Sequence, residues 1–422
     1  MKFNHNQKVL LWEAALWAVF NACTITYLVA FALELGASNT IIGLLGAIPF
    51  ISLILADFPA SKIVEFFPRK KIALFASLTD RLFWIVILLC PVFFKEPLFW
   101  VVIFYFISRS VGNLTTPAFW SMVGDIVPQK FRGRFLSIRM RVLGFIGMIF
   151  AAVAGIFLKQ FPKGNLVGFF LLFAFGAFVG ACSSLQFTKI KALKHHDHEH
   201  HTLKEFFSLN PLLKKFVFVM IFFNFAYMIA SPLFAVYMLK NLDMSYALYG
   251  FVIASATLTR VLLAPHFGRI VDRFGSRNVA VLSVFATAFV PLFFLFITHS
   301  TRWWSIPIMV LSGAAWVGVD LSVLNLLLDF TDKNKRAMQI AEYQLFTSIP
   351  LVIAPILGGI IADNVVFLLA GIPLVFAVSF ILRAVSCLFV MFLPEMHTKK
   401  EFSLGMVFHE MVAPSLLKKK KR

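Results

Sequence analysis

Apolar residues in this chain collect into runs of about twenty, divided by shorter polar stretches. Twelve runs are seen, at approximately 9–33, 40–58, 72–94, 98–123, 138–158, 165–188, 215–239, 246–265, 278–298, 303–328, 338–362 and 366–393. About twenty apolar residues, coiled as a helix, cross a hydrocarbon core of about 30 Å, so each run predicts one crossing. The connections are short except for one of about 26 residues after the sixth run. The pattern predicts an all-α membrane protein of twelve transmembrane helices in two six-helix pseudo-symmetric halves. Residues 1–188 form the first half and 189–214 a His-rich linker. Residues 215–393 form the second half, and 394–422 a basic tail.

Composition agrees and excludes much else. Hydrophobic types make up 60% of the 422 residues and charged ones 14%, against about 25% charged in soluble domains. A soluble enzyme, a disordered scaffold and a disulfide-rich secreted domain are excluded. Cys23, Cys90, Cys182 and Cys387 all lie inside apolar runs, with no CxxC spacing. Lys2 and Lys8 precede a first run that carries no small-residue cleavage site, so it reads as a spanning helix rather than a signal peptide.

The net charge of +19 would suggest nucleic acid in a soluble chain, but here it sorts by loop. Thirty Lys and Arg fall on the side of the two termini and the central linker, and five on the other. Positive charge concentrates in cytoplasmic loops, so a multi-pass plasma (inner) membrane protein with both termini cytoplasmic is expected, and no nucleic-acid partner. Lys418 to Arg422 close the basic tail, suited to anionic headgroups.

The halves repeat weakly. A shift of 207 residues carries Leu35, Ser38 and Gly43 onto Leu242, Ser245 and Gly250, and one of 204 carries Asp125, Arg132 and Gly155 onto Asp329, Arg336 and Gly359. Between the eighth and ninth runs stands Gly268-Arg269-Ile270-Val271-Asp272-Arg273-Phe274-Gly275-Ser276-Arg277. This segment resembles the signature loop of the major facilitator superfamily, G-x-x-x-D-R-x-G-x-R, at every defined position. Physically, Gly268 would permit close helix approach and Gly275 a tight turn. Asp272 would accept hydrogen bonds from the next helix, with Arg273 and Arg277 free to meet carboxylates across a cytoplasmic closure. The first-half copy, Ser61 to Lys70, lacks both glycines and has Glu65 for Asp and Phe66 for Arg. The resemblance implies two halves rocking about a central site, with helices 1, 4, 7 and 10 lining the cavity. Arg109, Gly112 and Pro117, followed by Arg132-Gly133-Arg134, further resemble a broad group of bacterial permeases.

Ionisable residues near the bilayer centre cost about 2.5–3.5 kcal/mol each on insertion scales, which makes each a functional candidate. Arg109, Asn113, Thr116 and Trp120 share one helical face. Asp320 shares another with Ser312 and Trp316. For Arg109 the choice lies between a substrate or coupling role and a structural salt bridge; for Asp320, between a coupling or substrate site and a fixed pair with Arg383. Asp80 and Arg81 read as structural, with Glu13 a partner for Arg81. Asn21 and Thr24 of the first run, with Asn224, Tyr227 and Ser231 of the seventh, complete the polar stripes. Each stripe alone reads equally as an interhelical seam. Arg260, Glu342 and Asp57 are placed near cytoplasmic helix ends as gate residues, with Glu65 beside them.

His195, His196, His198, His200 and His201, with Asp197 and Glu199, form a run in the linker. Such a run binds Zn²⁺, Ni²⁺ or Co²⁺ weakly, but nothing fixes a geometry, and a solvated linker is the plainer reading. No phosphate-cradling glycine loop or nucleophile–base constellation is present, so no enzyme and no cofactor are expected. The sequence thus predicts a monomeric secondary transporter of a small solute, coupled to protons, exporting amphipathic organic compounds. Uptake of a small organic anion or a metal-linked solute is the alternative, and a non-transporting scaffold or sensor the other class.

Overall fold

The computed structural model describes residues 3–191, 209–332, 335–366 and 369–396, with backbone alone for 56–66 and 337. It is all helix. In chain order the helices are α1 (His5–Glu34), α2 (Asn39–Phe66), α3 (Arg69–Phe93), α4 (Pro97–Ile126), α5 (Gln129–Leu158) and α6 (Val167–Lys189). They continue with α7 (Pro211–Asn241), α8 (Tyr246–Phe274), α9 (Ser276–Phe294), α10 (Arg302–Phe330), α11 (Arg336–Asn364) and α12 (Ile372–Met391). Eleven are long and apolar enough to cross a membrane, and the described part of α2 adds a shorter apolar stretch, Asn39–Leu55. Local chemistry sets the starts. Asn4 and Gln7 form a reciprocal capping box on α1, and Asn210 and Ser245 cap α7 and α8. Pro68 and Pro128 stand immediately before α3 and α5.

Two helices run further than their apolar stretches. The chain from 129 to 137 is the first part of α5, and Gly268 to Phe274 is the last part of α8. Charged residues there read as loop, but a helix leaving hydrocarbon keeps its backbone bonds while its side chains reach water. The signature segment is therefore a helix end, with only Gly275 turned, at φ 89°.

Helices α1 to α6 pack chiefly on one another, as do α7 to α12, and α2 on α11 and α5 on α8 bridge the two sets. Both bridges are closest at the end opposite the termini. There a Cβ on Gly43 would overlap the Pro355 carbonyl, and one on Gly359 the Asn39 carbonyl. Gly155 and Gly250 meet Tyr246 and Ala151 in the same way. Glycine removes the side chain that would hold these backbones apart.

α1 and α7 are each interrupted partway along. The α1 coil loosens at Thr24 to Tyr27, and the Thr26 carbonyl accepts from Tyr249 Oη at 3.3 Å. In α7 the break falls at 229–232, where Pro232 has no N–H to continue the ladder. Ser231 N–H instead takes the Met228 carbonyl that Pro232 cannot reach, at 3.3 Å, and Arg383 Nη2 donates to the Tyr227 carbonyl so freed, also at 3.3 Å. Such irregular backbone in a spanning helix persists where protein groups re-satisfy it.

Candidate functional site

The polar side chains within the helices gather into three groups. The first lies among α1, α3, α4 and α6. Asp80 of α3, 1% exposed, accepts from Arg81 Nη1 at 2.7 Å, from Ser108 Oγ at 2.6 Å and from Arg109 Nη2. The guanidinium of Arg81 also lies over the Phe20 ring, 5.1 Å from its centroid. Adjacency in α3 does not separate Asp80 from Arg81, because the arginine stem is long enough to fold back onto its neighbour. Glu13 is partnered by Arg139 of α5 at 3.2 Å, with the Arg139 guanidinium 4.6 Å from the Phe119 ring. Sequence reading passed over Arg139 because it counted it among the loop charges between the fourth and fifth runs; the helix-start proline Pro128 ahead of it was the available signal.

The second group is in the last six helices and is far more open. Arg260 of α8 and Asp320 of α10 form an ion pair, 47% and 51% exposed. Arg260 sits near the middle of Tyr246–Phe274, not at a helix end. The expected Asp320–Arg383 pair is not formed; Arg383 is buried and donates to Ser379 Oγ and to the Thr287 and Tyr227 carbonyls. Close by Asp320 on α10, Trp316 meets the Tyr227 ring edge-on with centroids 4.8 Å apart.

The third group joins the two helix sets at the end opposite the termini. Asp363 accepts from the Asn39 and Thr40 backbone N–H groups and from both their side chains, at 2.7 to 3.1 Å, so α11 caps the start of α2. Tyr246 donates to Glu34, and Lys163 pairs with Asp243. The Lys163 hydrogen bond and charge, with smaller help from His299 and Arg302, hold the Asp243 carboxyl below its ordinary value. Among the described residues, the hydrogen bonds between the two helix sets all fall at this end.

The remaining expected positions divide. Thr116 and Trp120 are exposed, and Arg109, Asn113, Asn21, Tyr227 and Trp316 are half-buried. Thr24 is fully buried against Gly176, its hydroxyl bonded to the Phe20 carbonyl at 2.6 Å. Asn224 is buried too, donating to the Thr347 carbonyl of α11 at 2.9 Å. These two are seam residues, because a short polar side chain on a packed face satisfies itself on the nearest carbonyl. Glu342 is buried in the second turn of α11.

In the signature segment, Gly268 has open space where a Cβ would stand, so no close approach depends on it. Asp272 is exposed and caps nothing among the described residues. That task falls to Glu395, which accepts from the Arg277 and Asn278 backbone N–H groups at 2.8 and 3.4 Å and fills the hollow over Gly275. Arg273 is half-buried with its guanidinium over Phe274. In the first-half copy, Arg69 pairs with Asp125 at 3.0 Å. The side chains of Asp57 and Glu65, and the whole histidine run from His195 to His201, lie outside the described residues. Among the described residues no cluster of three metal-ligating side chains occurs.

A spanning bundle with mid-helix charges, tied at one end, is the anatomy of a solute carrier. The Major Facilitator Superfamily profile matches residues 14–229 and 216–419, and the chain belongs to that family, whose members are secondary transporters rather than enzymes. A Bacillus subtilis (strain 168) relative, "Uncharacterized MFS-type transporter YitZ", is 29% identical over 136 residues, 32% of this chain and 82% of that protein. Among solved structures, the nucleoside transporter NupG is similar with TM-score 0.69 at 13% identity, over 92% of this chain and 98% of that one. A bacterial homologue of the iron transporter ferroportin in an inward-facing state is similar with TM-score 0.71 at 13% identity, over 93% and 99%. These two similarities concern the fold.

Proposed function

We propose that the chain exports amphipathic organic compounds in exchange for protons, its two six-helix halves rocking about a site near the membrane midplane. The observation that carries this reading is the Arg260–Asp320 ion pair, about half exposed in the middle of α8 and near Trp316 on α10. A charged pair exposed at that depth is costly against hydrocarbon, so it belongs beside water. With the halves tied at the end opposite the termini, that water reaches the pair from the termini end, which the loop charges make cytoplasmic.

The chemistry follows from the residues. The Asp320 carboxylate has Arg260, a proton or a polar group of the solute as competing partners, and Tyr227 and Trp316 supply aromatic faces for an apolar body. Protonation removes the charge that holds Arg260, so one site couples proton and solute without a second ion-binding centre. The similar structures are a nucleoside transporter and an iron-transporter homologue, so the fold itself does not choose the solute.

The test is solute exchange in proteoliposomes, using fluorescent lipophilic compounds with and without a pH gradient. Asp320→Asn should abolish gradient-driven movement while leaving counterflow exchange. An unchanged pH dependence in that variant would remove Asp320 as the coupling group, and no exchange of any compound would favour a scaffold. A second reading, uptake of a small organic anion, is supported by the first six helices, where Arg81, Arg109 and Arg139 pair with Asp80 and Glu13 alone among the described carboxylates. Counterflow of organic anions, lost in Arg109→Gln, would favour it over export.

A further inference from the structure

At the end of the bundle that carries the termini, the start of α7 and the end of α12 line an open groove of about 400 Å³. That lies within the range of about 300–1,000 Å³ usual for ligand sites. Its walls are Phe218, Phe389, Phe392 and Leu393, and its rim is Lys214 and Lys215. Phe392 is 84% exposed and Phe218 60%, while Phe389 lies between Phe218, tilted at 6.1 Å, and Phe222, edge-on at 5.0 Å between centroids. Both lysines are exposed, and neither pairs with a carboxylate among the described residues. They stand in the opening turns of a helix whose N-terminal dipole also favours an anion.

We propose that this groove binds an anionic glycerophospholipid, its phosphate on Lys214 and Lys215 and one acyl chain along Phe218, Phe389 and Phe392. Charge and depth together select this occupant. The groove lies at the ends of spanning helices, where headgroup gives way to hydrocarbon. It is apolar inside and cationic only at its rim, which matches the order of groups in such a lipid. It also opens at the end that carries most of the basic residues, where an anionic leaflet is attracted. The aromatic walls would otherwise face water at the headgroup level. The site is separate from the solute site and does not rest on the transport reading.

The experiment is native mass spectrometry of the full-length protein in detergent, titrated with phosphatidylglycerol, phosphatidylcholine or glycerol 3-phosphate. Wild type should retain one phosphatidylglycerol more tightly than the rest and at least tenfold more tightly than phosphatidylcholine. Lys214→Gln/Lys215→Gln should lose that preference, whereas Lys130→Gln/Arg134→Gln, removing the same charge at the same end, should keep it. Phe392→Ser should weaken retention with no change in charge. Equal retention of the two lipids, loss in both double variants alike, or equal binding of glycerol 3-phosphate would overturn the proposal. Unchanged melting of the Lys214/Lys215 variant in phosphatidylcholine shows that its fold is intact.

Discussion

Asp80 and Asp320 are both carboxylates partway along spanning helices, and both are held by arginine, yet their surroundings differ completely. Asp80 is 1% exposed with two guanidiniums and a hydroxyl on it; Asp320 is 51% exposed with one guanidinium. A buried carboxylate held by three donors is shut away from any solute. It fixes α3 against α4 and shapes the first six helices. A half-exposed carboxylate with a single partner can exchange that partner at little cost. The same residue type thus braces one set of helices and, in the proposed function, is the exchangeable site of the other, with burial separating the two.

The sharpest way to break that contrast is to remove Asp80. Asp80→Ala strands the buried Arg81 and the half-buried Arg109, and truncating one partner of a buried pair costs about 3–5 kcal/mol. Thermal unfolding in detergent should show a large loss, with a smaller one for Asp80→Asn, which keeps part of the hydrogen bonding. Wild-type melting of Asp80→Ala would mean that the network is not scaffold.

Asp320→Ala should lie well below this. Exposed ion pairs contribute about 0–1 kcal/mol, so its melting should stay near wild type while exchange fails. A double-mutant cycle with Arg260→Ala isolates the pair itself, and a coupling as large as that of Asp80 with Arg109 would erase the distinction drawn from exposure.

The sequence carried the helices clearly, because about twenty apolar residues have few other fates. It carried Arg109, Asp320 and Arg260 as residues of interest, since charge inside an apolar run is visible without coordinates. It did not carry their partners. Asp80 meets Arg109 across 29 positions and Arg260 meets Asp320 across 60, and nothing in local spacing distinguishes Arg260 from Arg383 as the mate of Asp320. Helix ends misled as well, placing Arg139 beside a loop and Arg260 at an exit. The ties at the end opposite the termini, Glu34, Lys163, Asp243 and Asp363, resembled ordinary loop-edge charges, and only the fold brings them together.

Those ties supply the third and smallest point on the same scale. The side chains of Lys163 and Asp243 are 54% and 60% exposed, more open than Arg260 and Asp320, and lie outside the spanning segments. Asp243 has its folded-state pKa lowered from 3.8, chiefly by the Lys163 hydrogen bond and then by its charge. A depressed carboxyl pKa gives stability that is fully present above the unfolded value and lost as pH falls through the folded one. The difference in melting between wild type and Asp243→Asn should therefore be small, constant from pH 7 to pH 5, and absent once the pH is well below 3.8. It should also shrink in high salt, which screens an exposed pair. A difference that persists undiminished in strong acid would show that the side-chain shape of Asp243, not its charge, holds this end. A difference larger than that of Asp320→Ala would show that position in the fold, rather than exposure, sets what an ion pair is worth in this protein.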